Sequence, residues 1–390
     1  MLMIYLAALV ILILACVILK KEMQYWIFSY VKWLICDRKH MAKNRPVDII
    51  FCIVDHFELG VLAADPSVQA KRVDVWLDRY PGLADRHHDS DGQRAVHTWF
   101  FPPHDDINSN LEKLTVLCKE GYGEIELHLH HDRIPPFPDS AETLERKIRN
   151  TLSRYSSLGI FGLDKENRKV RFGFVHGDWA LNNSCGGKHC GVNNELQILS
   201  RLGCYADFTF PSICRSQPKK INSMYYAKDM QGKPKSHDSG VDVEVGRTAE
   251  SGLMIIEGPL GLRFKRNWRS LFIAVEAGNI SRTDLPIPSR VDFWVNSAIH
   301  VKGRPNWIFM KVHTHGALEA NAHVLLGDDM DKMYSYMEKK YNDGDRFRLH
   351  YVTAREMYNI IKAAESGQDG NPARFRDYII GKPSLSGSVI

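Results

Sequence analysis

The chain has 390 residues, of which 44% are hydrophobic and 25% charged, and a net charge of +5. These proportions exclude a disordered or low-complexity chain and suffice for one large domain or two smaller ones. The small basic excess lies mostly just after the first apolar run, with no stripe of arginine interleaved with aromatics, which excludes a nucleic-acid partner.

Leu2 to Leu19 is an uninterrupted apolar run, and roughly 18 residues at about 1.5 Å each give ~27 Å, enough to cross a bilayer core. No Lys or Arg precedes it, unlike a cleaved signal peptide, so residues 1–20 read as one transmembrane anchor. The likeness of Ile13-Leu14-Ala15-Cys16 to a lipoprotein box is loose, because the run continues past Cys16. Lys20, Lys21, Lys32, Arg38, Lys39, Lys43 and Arg45 follow, and the positive-inside tendency places the carboxyl-terminal bulk of a single-pass cell-membrane protein in the cytoplasm. Between these charges lie Tyr25, Trp26, Phe28, Tyr30, Val31, Trp33 and Leu34. Residues 21–46 therefore read as an interfacial linker, burial against the domain being the other reading.

From residue 47 the chain alternates strand-like and helix-like segments, the signature of an α/β fold with a parallel sheet covered by helices. Expected strands run from Val47 to Glu58, Ala95 to Asp106, Glu124 to Asp132, Lys169 to Asn183 and Trp307 to His315. Expected helices include Val68 to Leu83, Asn108 to Cys118 with Asn108 or Ser109 as cap, Ser140 to Leu158, Asn193 to Leu202, Asp328 to Tyr341 and Ala354 to Ala364. Residues 216–262 break the alternation with Gly and Pro and read as an irregular excursion inside a catalytic domain spanning 47–366. The tail 367–390 reads as loosely attached. Cys52 and Cys118 sit in apolar segments and read as core. The Cys185 to Cys190 loop fits a disulfide, half a zinc site or a plain thiol-bearing loop, and no second Cys pair stands at finger spacing.

The strand ends carry the chemistry. Glu124, Glu126, His128 and His130 alternate with apolar residues and share one face, with His131 and Asp132 just beyond. Asp55, His56 and Glu58 end the first strand, His104, Asp105 and Asp106 the second, His176, Asp178 and Trp179 a later one, and His313 and His315 the last. Imidazoles and carboxylates gathered at the carboxyl ends of several strands predict one shared mouth and a divalent cation.

These segments resemble the polysaccharide deacetylases. Val54-Asp55-His56 falls where that family has Thr-Phe-Asp-Asp, and Glu124-Ile125 through His128-x-x-x-Asp132 overlays its second motif, His-x-x-x-His. The resemblance implies a distorted β/α barrel, Asp55 as base, and His56, His128 and Asp132 as ligands of a divalent metal such as zinc, with His130 and His131 as rival ligands or partners behind them. The exchanges at two positions, His for Asp and Asp for His, leave the total at two His and one carboxylate. Lys311-Val312-His313-Thr314-His315-Gly316 is similar to the family's last motif and implies His313 or His315 as acid. The family's Arg-x-Pro motif is absent; the corresponding strand ends in Val175-His176-Gly177-Asp178-Trp179. Asp178 is expected to orient a catalytic His or bind sugar, Trp179 to stack on a sugar, and His176, His130 and His104 to line the substrate site. The implied reaction is hydrolysis of an N- or O-acetyl group on a polysaccharide or lipid-linked sugar. Glycosidic cleavage by a carboxylate pair such as Asp55 and Asp178, and a non-catalytic saccharide-binding factor at the membrane, are the alternatives.

Overall fold

The computed structural model describes residues 5, 9, 12, 16, 18–38, 40–43, 46–107, 109–248, 251–267 and 270–385. The anchor expected over Leu2 to Leu19 lies for the most part outside these residues, as does Asn108 as a helix cap. Among the described residues no helix is long and apolar enough to cross a membrane.

Among the described residues the expected alternation becomes a large, mixed, mostly parallel sheet of twelve strands. Its central strand β1 (Val47–His56) is buried along its whole length. The β8 strand (Trp307–Thr314) pairs with β1 from Asp48 to Asp55. The other edge of β1 is shared by β9 (Phe347–Tyr351) at its start and β2 (His97–Phe101) at its end. From β2 the order continues through β3 (Gly123–Leu129), β4 (Val170–His176), β5 (Cys204–Asp207), β7 (Leu253–Ile256) and β6 (Met224–Ala227). The pairings as far as β7 are parallel, whereas β6 runs antiparallel to β7. The sheet curls until Gly258, just past β7, packs against the Lys311 carbonyl of β8. Lys311 bridges the same gap, its buried ammonium donating to the carbonyls of Phe208 (2.6 Å) and Phe210.

Pleating sorts each strand onto two faces. Ile49, Phe51 and Ile53 of β1 join the outer core with Val73 and Trp76 of α1 (Pro66–Ala84), Leu114 of α2 (Asn110–Lys119) and Ile148 of α3 (Ala141–Ser157). Ile50, Cys52 and Val54 turn inward to Phe100, Val175, Met254 and Phe309, with Met357 and Ile361 of α4 (Ala354–Glu365) closing that core. Each large apolar side chain so buried contributes about 1.5–3 kcal/mol. Ser140 caps α3 and Thr353 caps α4, each through a reciprocal capping box. Ser109 precedes α2 in a left-handed conformation and its side chain makes no capping bond.

Two expectations change. The tail is tied down as far as Ile380: Arg355 donates to the Ile380 carbonyl and the Asp377 carboxylate, and Ile380 is fully buried. The aromatic linker has two apolar faces. Trp26, Tyr30 and Trp33 pack on Ile221 and Leu260 of the domain, while Phe28, Val31 and Ile35 stay exposed. The excursion at 216–262 supplies β6 and β7, the latter where the sequence shows a β-like piece from Leu253 to Glu257.

Candidate metal centre

Inward-facing residues at the carboxyl ends of β1, β3 and β8 meet at one opening. His56 continues the inner face of Ile50, Cys52 and Val54. It is buried, and its Nε2 has no hydrogen-bond partner. Its ring centroid lies 5.1 Å from that of His128, 4.7 Å from His315 and 6.1 Å from His313. Glu58, past the end of β1, places Oε1 3.0 Å from His128 Nε2 and 3.4 Å from His130 Nε2. One donor atom each from His56, Glu58 and His128 lies within 4.8 Å of the others.

The proton count at His128 is decided by its other nitrogen. Nδ1 is 2.9 Å from the Val175 carbonyl, which only accepts, so Nδ1 carries hydrogen and the neutral ring presents a lone pair at Nε2. That lone pair faces the Glu58 carboxylate and, at 3.1 Å, His130 Nε2. Acceptors so disposed need a proton or a cation between them. A backbone bond that fixes the tautomer of a ligating imidazole is the usual support behind a metal ligand.

His130 is oriented by Asp178, its Nδ1 3.1 Å from Oδ2. Burial opposes its charging, but Asp178 and Glu58 outweigh burial and push its pKa up to about 9. Burial also works against ionisation of Glu58, yet its close contacts with His128 and His130 hold it well below the usual carboxylate range. Burial first, then neighbouring cationic forms, hold His56 and His313 well below the ordinary imidazole value. His315 is also lowered, again chiefly by burial. His104 meets His130 edge-on at 5.5 Å, and burial takes its pKa down to about 3. The His130 ring fits only because residue 177 is glycine, where a Cβ would lie 2.4 Å from it.

Trp179 stands 5.8 Å from both His56 and His315 and walls a cavity of about 570 Å³. Asn279, Asp284, Asn321, His313 and His315 also line this space, which therefore offers both hydrogen-bonding groups and an aromatic face. Asp178 and Trp179 adopt left-handed backbone conformations, with φ of 53° and 52°. Non-glycine residues hold such conformations where the surroundings over-determine them, and these cluster at binding sites.

Not every expected residue comes to this mouth. Asp55 points to the opposite face from its neighbour His56, is fully buried, accepts from Gly316 N at 2.6 Å and pairs with His97 Nε2 at 2.9 Å. It fastens the turn after His315 to β1. A Cβ on Gly316 would approach Asp55 Oδ2 to 2.1 Å, so the clamp also demands glycine. Asp132 is grouped not with His56 and His128 but with His130 and Asp178, one donor atom of each lying within 4.8 Å of the others; it is partly exposed and bound to His189 Nδ1 at 2.8 Å. Glu58 stands in the group instead. The sequence marked it as a strand-end acid without a role; that it turns back toward His128 depends on the course of the chain beyond β1. Glu124 and Glu126 share the inner face with His128 as expected, but they serve structure: Glu124 binds Arg355, and Glu126 accepts from the Tyr205 hydroxyl and Gly173 N.

His176 does not face the opening. It lies on the outer face of β4 beside Phe172 and Phe174, where His131, His176, Cys190 and Glu195 form a second buried group able to hold a metal ion. Nothing in the spacing of Glu195 had marked it. A fourth group, Asp89, Asp91 and His350, is already satisfied. His350 is paired with Asp48 and Asp91, and Asp89 accepts from Arg376 and Tyr351 N.

No family model and no curated protein matches the chain. Among solved structures, a GH99 endo-alpha-mannosidase from Bacteriodes thetaiotaomicron, in complex with bis-tris-propane, aligns over 43% of this chain and 60% of that chain, at 13% identity and a TM-score of 0.20. The chain thus spans less than two thirds of that protein's length, and a likeness this slight carries no argument.

Proposed function

We propose that this chain is a metal-dependent hydrolase that removes acetyl groups, N- or O-linked, from a cell-surface polysaccharide or its lipid-linked precursor. The observation that carries the reading is the convergence of one donor atom each from His56, His128 and Glu58, with His56 Nε2 buried without a hydrogen-bond partner and the Nε2 lone pair of His128 turned toward the Glu58 carboxylate. Two imidazoles and one carboxylate suit zinc or another first-row divalent ion, with positions left for water and substrate. Such an ion, when bound, polarises an acyl carbonyl and lowers the pKa of water toward ~7.

The residues of the chain supply the proton transfers. His315, kept neutral by burial and lining the cavity, takes the proton of the attacking water and passes it to the departing amine or alkoxide, while His130, paired with Asp178 and Glu58, stays charged beside it. The water oxygen bonds the acyl carbon, the C–N or C–O bond breaks, and acetate leaves with the freed amine or hydroxyl of the sugar. Trp179 offers its face to the sugar ring. Asp55 acts by position, holding the turn that carries His315. The motif resemblance and the curl of the sheet favour a distorted β/α barrel of the deacetylase type. The apolar run Leu2 to Leu19 and the basic residues after it favour a single-pass membrane protein with a cytoplasmic domain. The glycosidase alternative loses support because Asp55 and Asp178 do not face a common space.

Metal analysis with acetate release from a panel of acetylated saccharides tests this reading. Glu58→Gln and His128→Ala are expected to lose an ion and all acetate release, while Asp132→Asn keeps both. Retention of every ion by Glu58→Gln and His128→Ala overturns the proposal.

A further inference from the structure

We propose that His131, His176, Cys190 and Glu195 bind a second divalent ion of the zinc class, a closed structural centre on the outer side of the sheet. All four residues are buried, and one donor atom from each lies within 4.8 Å of the others. His131 Nε2 is 2.9 Å and His176 Nε2 3.5 Å from Glu195 Oε1, and Cys190 Sγ is 3.4 Å from Glu195 Oε2. The two imidazoles stack with centroids 4.5 Å apart.

The arrangement around these donors points to a cation rather than to a self-sufficient hydrogen-bond cluster. His176 Nδ1 donates to the Gly177 carbonyl at 2.5 Å, so Nε2 is a lone pair, and it is buried without a hydrogen-bond partner. His131 has a carboxylate behind it. Its Nδ1 is 3.3 Å from Asp139 Oδ2, and Asp139 is itself held by Lys147 at 2.8 Å. Neither His131 Nδ1 nor Asp139 Oδ2 has a hydrogen-bond partner, and His131 turns its Nε2 onto the Glu195 carboxylate at 2.9 Å. A carboxylate behind a histidine that faces a donor cluster is the supporting arrangement of zinc sites. Leaving these acceptors sealed from water without a positive charge is costly. Four protein donors, one of them a thiolate, leave no open position for substrate.

The centre would brace the first site, a role that rests on the reading above, whereas the ion itself does not. Glu195 Oε2 accepts from Asn182 N at 2.5 Å, and Asn182 and Asn183 continue the left-handed loop begun by Asp178 and Trp179. His131 adjoins His130, Gly177 follows His176, and His189, beside Cys190, reaches Asp132 and Asp178. The first centre has only nitrogen and oxygen donors, so sulfur is the signature of the second.

The test uses the full chain, purified in detergent and loaded with cobalt(II) or zinc. The cobalt protein should show thiolate-to-cobalt charge-transfer absorption in the near ultraviolet. That band should vanish in Cys190→Ser and His176→Gln but survive in Cys185→Ser and in His128→Ala, which removes only the first ion. X-ray absorption of the wild-type zinc protein should show sulfur at about 2.3 Å, a readout that needs no variant to fold. A wild-type protein without sulfur coordination, or a band that persists in Cys190→Ser, overturns the proposal and leaves the first site untouched.

Discussion

Replacing Asp55 by Asn separates a positioning carboxylate from a catalytic one. Asp55 is fully buried and accepts two bonds, from Gly316 N at 2.6 Å and His97 Nε2 at 2.9 Å. The Asn side chain has the same shape but only one oxygen, so its amide must point at one of two donors. The cost is one hydrogen bond to a charged group, about 1.5–3 kcal/mol, together with a buried donor left unsatisfied, about 1–3 kcal/mol. A loss of about 3 kcal/mol is therefore expected, read as the shift in urea midpoint multiplied by the slope of the unfolding line. Metal content should be unchanged, because Asp55 faces away from the ligand group. If Asp55 were the base, stability would barely move, and acetate release would fall about 10²–10⁴-fold in an otherwise intact protein. An Asn variant that unfolds at the wild-type urea concentration would refute the clamp.

Two further outcomes concern stability. Burial works against charging His350, but Asp48 and Asp91 outweigh it and raise its pKa, while Asp91 itself is lowered to about 2, first through its bond from His350. The raised histidine stabilises the fold fully below its unfolded pKa of about 6.5, and this contribution is lost as pH rises through the higher folded value. The lowered Asp91 contributes above its unfolded value of about 3.9 and loses that contribution as pH falls through about 2. His350→Gln should therefore flatten the decline of stability above pH ~6.5 in urea titrations; an unchanged slope there would exclude the assignment. Arg355→Met should cost about 3–5 kcal/mol, because it leaves Glu124 buried without its partner. It should also free the tail at Asp377 and Ile380 for faster proteolysis. Glu124→Gln added to Arg355→Met should recover part of the stability, and a double variant no better than the single would count against the pair.

The alternation of apolar and polar residues determined the elements around the site, because burial on one or both faces of a strand imposes a local period. Thus Val47 to His56, Trp307 to Thr314 and Asp328 to Tyr341 were legible, as was the shared face of Glu124, Glu126, His128 and His130. The same period implied that Asp55 and His56 point apart, a consequence that motif likeness obscured. What each ionisable group binds was decided only by the tertiary structure, since partners such as Asp55 and Gly316, or His131 and Glu195, are 261 and 64 residues apart. Local pattern fixes which way a side chain turns; the curl of the sheet and the packing of its helices fix what it meets there.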